Sequence, residues 1–324
     1  MKSIFVKFAA ICCCAALMLT SCAKTEESSS DAEQSSKQET VSSAAEESSL
    51  PEKKPPVVFN TVSGDTDPYS ISSAVYCVES KTFNLGKNLD TRISIASTTK
   101  LLTAAVALKY LKPDTILTAG SELGLINPES TICYVYYGCK ITLSDLLAGL
   151  LLPSGNDAAY VIAANVARAQ QPDKQMTDKE AIEHFCRLMN DFAQELGMTD
   201  SHFSTPDGWD DPQHYSTAAD MAKLAEYVLT VPEICEIMKT AYKTVYFSAG
   251  GYATWTNSNY FVIPESKYYS PDALGMKTGT TEKAGYCLIS AFKRNSKTYI
   301  VLVMGCKDDL DRYDLTQKLL ENYT

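Results

Sequence analysis

The sequence predicts an α+β domain whose antiparallel sheet joins the two ends of its globular part. Flanking helices and an all-helical region between the two ends complete it. Three observations predict this. Short β-patterned segments open the globular part, helical patterns fill its middle, and longer β-patterned segments return in the last third before a closing helix.

The 324 residues allow two average domains or one larger domain with trimmings. Met1–Lys7 carries Lys2 and Lys7 and precedes an apolar run from Phe8 to Leu19. This is a basic n-region and an h-region too short for an ordinary membrane span. Leu19-Thr20-Ser21-Cys22 resembles the bacterial lipobox, so residues 1–21 are expected to be a lipoprotein signal peptide and Cys22 the lipidated residue. Residues 22–56 are rich in Ser, Glu and Gln and hold no aromatic residue. Such a segment buries too little apolar surface to offset its ordering entropy, and reads as a tether with an end-to-end distance of about 30 Å. The expected location is extracytoplasmic, lipid-anchored to a bacterial membrane.

Residues 57–324 form the expected catalytic domain. Ser73–Glu79 and Thr82–Leu85 read as strands around a Ser80-Lys81 turn. Helices are expected at Thr98–Leu111, Ser144–Leu152, Asp157–Ala169, Asp178–Leu196 and Ala218–Leu229. Ala284–Arg294 and Lys297–Gly305 read as strands flanking an Asn295-Ser296 turn, and Leu310–Asn322 as the closing helix.

The net charge of −10 argues against nucleic-acid binding, which needs a basic face. The three histidines, His184, His202 and His214, form no HExxH, and no GxSxG, Rossmann or P-loop pattern occurs. No metal or organic cofactor is implied. Of eleven cysteines, Cys12, Cys13 and Cys14 fall in the signal and Cys22 takes the lipid. The rest are Cys77, Cys133, Cys139, Cys186, Cys235, Cys287 and Cys306, mostly in apolar contexts where Cys acts as a small buried hydrophobe. Sequence leaves a bridge such as Cys133 to Cys139 open.

Three motifs carry the chemistry. Ser97-Thr98-Thr99-Lys100 is an SxxK that opens an apolar helix, where positions i and i+3 share a face and the amine reaches the hydroxyl. Burial and the positive helix N-terminus both disfavour the ammonium, so Lys100 can serve as base for Ser97. The same spacing at Ser21/Lys24 falls in the signal and tether. At Ser290/Lys293 it lies on a strand, where positions three apart face opposite sides. Ser154-Gly155-Asn156, the only SxN, lies between two helical patterns. There Ser154 can relay a proton or bond the lysine, and Asn156 can hold a substrate amide carbonyl. Lys277-Thr278-Gly279, the only KTG, reads as a strand. Lys277 would repel a proton from Lys100 and attract an anionic terminus, Thr278 would bond the same carboxylate, and Gly279 would leave room for a substrate backbone.

In this order the motifs resemble those of the penicillin-recognising serine enzymes. Among these the chain is most similar to the low-molecular-mass D-alanyl-D-alanine carboxypeptidases, the S11 peptidases. The likeness extends to LLPSGNDAA, FSTPDGW, DPQHYSTAADMA, WTNSN and GMKTGTTEKAGYC. It implies a serine β-lactamase/DD-peptidase-like domain. Ser97 would be the nucleophile, Lys100 its base, Ser154 and Asn156 the second catalytic element, and Lys277, Thr278 and Gly279 the substrate-binding strand. The oxyanion hole would use the N–H groups of Ser97 and Thr280. His214 would buttress the fold.

The implied reaction removes the terminal D-Ala from peptidoglycan stem pentapeptides through a Ser97 acyl-enzyme, with β-lactams as covalent inhibitors. The chain ends just past the catalytic region, where many family members continue into a β-rich domain and an amphipathic helix, so the lipid on Cys22 would replace that anchor. Other readings share parts of the pattern. A class A β-lactamase normally has SDN and an ExxxN-type element, but Gly155 holds the middle position here and no ExxxN lies between Asn156 and Lys277. A DD-endopeptidase or transpeptidase would use the same site. A non-catalytic lipoprotein binding wall peptides or β-lactams would show a broken motif, and none is broken.

Overall fold

A computed structural model describes residues 67–248 and 250–324. The expected signal, Cys22 and the tether lie outside the described residues. The chain enters through β1 (Ser72–Cys77) and β2 (Thr82–Lys87), then a 3₁₀ turn at Ala96–Thr99 that runs into α1 (Lys100–Tyr110). A short ribbon, β3 (Ile116–Thr118) with β4 (Lys140–Thr142), brackets a long loop. Four helices follow: α2 (Leu143–Leu151), α3 (Asn156–Gln170), α4 (Asp178–Glu195) and α5 (Ala218–Val228). Then come α6 (Pro232–Lys239), the hairpin β5 (Tyr242–Tyr246) and β6 (Tyr252–Thr256), strands β7 (Ala273–Thr281), β8 (Gly285–Arg294) and β9 (Lys297–Cys306), and α7 (Asp311–Tyr323).

The main sheet is antiparallel throughout, in the order β2-β1-β9-β8-β7, so the two ends of the domain are joined as expected. The β8–β9 turn places Asn295 and Ser296 at φ 48° and 64°, the left-handed pair of a type I′ hairpin that matches the sheet twist. Alternation along β9 divides the core. Tyr299, Val301 and Val303 join Leu315, Leu319 and Leu320 of α7 on one face. Ile300, Leu302 and Met304 meet the helical body, including Leu101 and Ala105 of α1, on the other. β7 is left as the edge strand beside the 3₁₀ turn, and this edge lines the site.

Thr98–Leu111 was expected as one helix opened by Ser97. Instead Ser97 lies in the 3₁₀ turn and the α-helix starts at Lys100. The tighter turn nearly eclipses positions i and i+3, which brings Ser97 and Lys100 together. The sequence reading missed the ribbon, the β5–β6 hairpin and α6. Strands of three residues are too short to show a period. The hairpin buries only Val245 and Trp255, so its alternation is faint. The eight residues of α6 offer little beyond Pro232 at its start.

Candidate active site

Lys100 is wholly buried, and its Nζ has three partners: Ser97 Oγ at 2.7 Å, Asn156 Oδ1 at 2.7 Å and the Asp207 carbonyl at 2.9 Å. An ammonium would donate to all three. A neutral amine has two N–H groups, which suffice for the two obligate acceptors, and its lone pair then faces the Ser97 hydroxyl. Burial pushes Lys100 down from 10.5 to about 8, against the opposing charges of Asp207 and Asp157.

Asn156 is the first residue of α3, and its Nδ2 donates to Ser130 Oγ at 2.8 Å, leaving one amide hydrogen free for a substrate carbonyl. Ser154 holds a left-handed φ of 69°, and among the described residues its side chain makes no hydrogen bond, so of its two expected roles the structure shows no bond to Lys100. The three directions around Nζ are already taken by Ser97, Asn156 and Asp207. The loop carbonyl of Asp207 is the lysine's third partner.

Lys277 is also fully buried, with Nζ donating to the Thr278 carbonyl at 3.0 Å. Burial, then the charges of Lys100 and Arg312, hold its amine well below the usual lysine range. No carboxylate offsets this at Lys277, whereas Asp207 and Asp157 favour a proton on Lys100. Thr278 shares a 2.7 Å hydroxyl contact with Ser258, whose N–H donates to the Leu152 carbonyl just before Ser154. A Cβ on Gly279 would sit 3.0 Å from Ile95 O, Ala96 Cβ and Ser97 N. Glycine here therefore lets β7 close on the backbone of Ser97 itself, rather than only clearing room for substrate. Thr280 is exposed beyond it.

Sequence reasoning missed several residues around this cluster. Arg312, at the start of α7, is 6% exposed and donates to the carbonyls of Gly279 at 3.2 Å and Cys287 at 3.0 Å. It also reaches Thr280 Oγ1 at 3.4 Å and pairs with Asp309. Asp210 receives Ser94 Oγ at 2.8 Å and Thr281 Oγ1 at 2.7 Å, tying the end of β7 to the segment before Ser97. Asp207 offers Lys100 both a main-chain carbonyl and a nearby charge, and Ser130 and Arg312 are lone residues on distant elements. None of them forms a motif; only the quoted FSTPDGW segment marked the Asp207 region.

His214 is buried, and Nδ1 accepts from the N–H groups of Ser204 at 3.2 Å and Thr205 at 3.3 Å. Its Nε2–H must therefore donate to Thr99 Oγ1 at 2.8 Å, which in turn donates to the Ala96 carbonyl. This chain braces the 3₁₀ turn, matching the expected structural role. Burial lowers His214 to about 4 from 6.5. The folded state binds its proton less readily than the unfolded chain, so the stability it confers is present above about 6.5 and lost as pH falls toward 4. The loss amounts to about 3 kcal/mol. A His214→Gln variant is expected to show a shallower fall in melting temperature between about pH 7 and 4.5. Parallel curves would refute the assignment. All seven described cysteines are free, which excludes a Cys133–Cys139 bridge in this structure.

The model of the peptidase S11 family, D-alanyl-D-alanine carboxypeptidase, matches residues 72–308. The chain belongs to this family. D-alanyl-D-alanine carboxypeptidase DacC of Escherichia coli strain K12 is 34% identical over 243 residues, covering 72% of this chain and 56% of the relative. The chain thus spans little more than half the length of that S11 relative. D-alanyl-D-alanine carboxypeptidase of Streptomyces sp. strain K15 is 35% identical over 229 residues, covering 68% of this chain and 75% of the relative. Among solved S11-like structures, the Streptomyces K15 DD-transpeptidase superposes with a TM-score of 0.72 at 29% identity, over 80% of this chain and 98% of the other. Penicillin-binding protein D2 of Listeria monocytogenes, solved in its ampicillin-bound form, gives 0.65 at 26% identity over 80% and 98%.

Proposed function

We propose that the chain is a serine-type D-Ala-D-Ala carboxypeptidase acting on peptidoglycan stem pentapeptides. The 2.7 Å approach of Lys100 Nζ to Ser97 Oγ, with both other lysine directions filled by acceptors, carries this reading. Neutral Lys100 takes the proton as Ser97 Oγ attacks the carbonyl of the penultimate D-Ala, and the terminal D-Ala leaves with a proton. Water activated by the same amine then frees the tetrapeptide. Donors for the tetrahedral oxyanion are the N–H groups of Ser97 and Thr280, a pairing supported by the closure of β7 onto Ser97 at Gly279.

The two lysines divide the charge. Without substrate, the proton favours Lys100 because Asp157 and Asp207 lie near it. A substrate carboxylate beside Lys277 and Arg312 supplies the counter-ion that Lys277 lacks. Lys277 becomes charged and, by repulsion, favours the neutral form of Lys100. Binding of the anionic terminus thus prepares the base.

Intact mass of the full chain mixed with benzylpenicillin tests the site. A persistent penicilloyl adduct is expected, absent in Ser97→Ala, with D-Ala released from pentapeptide by the wild type alone. Rapid drug turnover without a lasting adduct would support a β-lactamase instead. The fold shared with a protein named a DD-transpeptidase favours one second reading, in which an amine resolves the acyl-enzyme. Product formed with an added amino acceptor in preference to hydrolysis would assign it.

We further propose a lipid anchor on Cys22, supported by the signal-like segment before it and the polar tether after it. Among the described residues no helix is long and apolar enough to cross a membrane. Cys22→Ala is expected to move the protein from the membrane pellet to the soluble fraction; unchanged partitioning would refute the anchor.

A further inference from the structure

Two walls rise from the site and end in exposed aromatic side chains. Residues 130–140 leave Asn156, whose N–H donates to the Thr131 carbonyl at 2.8 Å, and carry Tyr134, Tyr136 and Tyr137. The β5–β6 hairpin, held by Trp255 Nε1 donating to Cys133 O at 3.0 Å, carries Tyr246, Phe247 and Tyr252 toward its tip. The two walls meet there. The rings of Tyr136 and Phe247 make an edge contact at 5.7 Å, Ser248 Oγ donates to Lys140 O at 3.2 Å, and Tyr246 lies 5.9 Å from Tyr252. Exposure is 74% at Tyr134 and Tyr137, 78% at Tyr246 and 68% at Tyr252.

The backbone is bent to achieve this. Tyr134 has φ 68°, a conformation bulky residues rarely adopt. Its cause is the buried carboxylate of Asp157, which accepts the flanking N–H groups of Cys133 at 2.8 Å and Val135 at 2.9 Å. The chain doubles back between them and turns Tyr134 into water. Asp157 directly follows Asn156, so the crest is held in register with the site. Backbone strain that presents an aromatic ring to solvent on a loop bonded to Asn156 points to recognition.

The charge pattern narrows the partner. Along residues 127–140 and the hairpin the charged groups are Glu129, Lys140 and Lys243, and Lys243 pairs with Asp145 at 2.9 Å. An anionic lipid surface calls for a cluster of basic side chains. Rigid, uncharged rings with hydroxyl edges instead suit sugar rings, which offer C–H faces for packing and hydroxyls for hydrogen bonds. We propose that this crest binds the glycan strand that carries the stem peptide, with Tyr134, Tyr246 and Tyr252 packing on sugar rings while the peptide reaches Ser97. The proposal rests on the substrate reading above and adds the polymer to it.

The test compares the full chain in detergent with a Tyr134→Ser/Tyr246→Ser/Tyr252→Ser variant. The substrates are a sugar-free acyl-D-Ala-D-Ala peptide and glycan oligomers bearing pentapeptides. On the peptide, kcat/KM is expected to stay within about twofold, as is benzylpenicillin acylation. On the oligomers kcat/KM is expected to fall at least tenfold, mostly through KM. Equal loss on both substrates, or loss on neither, overturns the proposal. Cosedimentation with glycan stripped of its peptides supplies an arm that needs no catalysis. Ser97→Ala should be retained, and the same protein with the three tyrosines replaced should not. An inactive wild type that still binds this glycan would sink the carboxypeptidase reading and keep the crest. Tyrosine-dependent binding to anionic phospholipid vesicles by Cys22→Ala, with no glycan retention, would replace the sugar with a membrane.

Discussion

Lys100→Met is expected to slow acylation by benzylpenicillin about 10²- to 10⁴-fold, the range for losing a positioned general base. Methionine keeps most of the side-chain volume and removes the group 2.7 Å from Ser97 Oγ. Only the neutral amine can act as base. In the wild type the acylation rate should therefore rise about tenfold per pH unit on the acid side and level off above about 8, where burial holds Lys100. The variant should lose that dependence. Folding should survive the change. A lysine held at about 8 instead of 10.5 costs the folded state about 3 kcal/mol at neutral pH, a cost that fades as pH rises from 8 toward 10.5. The substitution removes this cost but leaves Asn156 Oδ1 and the Asp207 carbonyl without a donor, at about 1–3 kcal/mol each. The two effects oppose each other, so a lost rate with a melting temperature within a few degrees separates chemistry from unfolding. Acylation within tenfold of wild type would exclude Lys100 as the base.

Gly208→Ala is expected to destabilise the domain by about 3 kcal/mol or more, lowering the melting temperature by about 10 °C. Gly208 has φ +85°, and a Cβ there would fall 1.9 Å from the Ala96 carbonyl oxygen and 2.7 Å from Thr99 Oγ1. The clash is with backbone, which cannot swing aside. The displaced residue is Ala96, itself at φ 48° and next to Ser97, so acylation should also fall about 100-fold if the nucleophile moves by about 1 Å. Gly279→Ala is a graded comparison, because its contacts of 3.0 Å ask for shifts of only tenths of an ångström. Thermal unfolding and the acylation rate, measured on both variants, check the order. A Gly208 variant as stable and as fast as wild type would mean that the loop does not brace the nucleophile.

Local spacing decided much of this protein. The contact between Ser97 and Lys100 follows from a three-residue interval on a helical turn, and the pairing of β8 with β9 follows from two alternating runs around Asn295-Ser296. The order of SxxK, SxN and KTG was readable because each motif keeps its residues within three or four consecutive positions. What the sequence could not show is which distant groups complete those motifs. Asp207 bonds Lys100 through a carbonyl, which any residue type supplies, and only the fold brings its charge close as well. Ser130 and Arg312 stand alone in the sequence and reach the site from a loop and a terminal helix. Among the described residues Ser154 makes no hydrogen bond to Lys100, whose third partner is the loop carbonyl of Asp207. Charge balance followed the same rule. The motifs named two lysines, but only packing set Asp157 and Asp207 near Lys100 and Arg312 near Lys277, because burial and Coulomb energy depend on distance in space rather than along the chain.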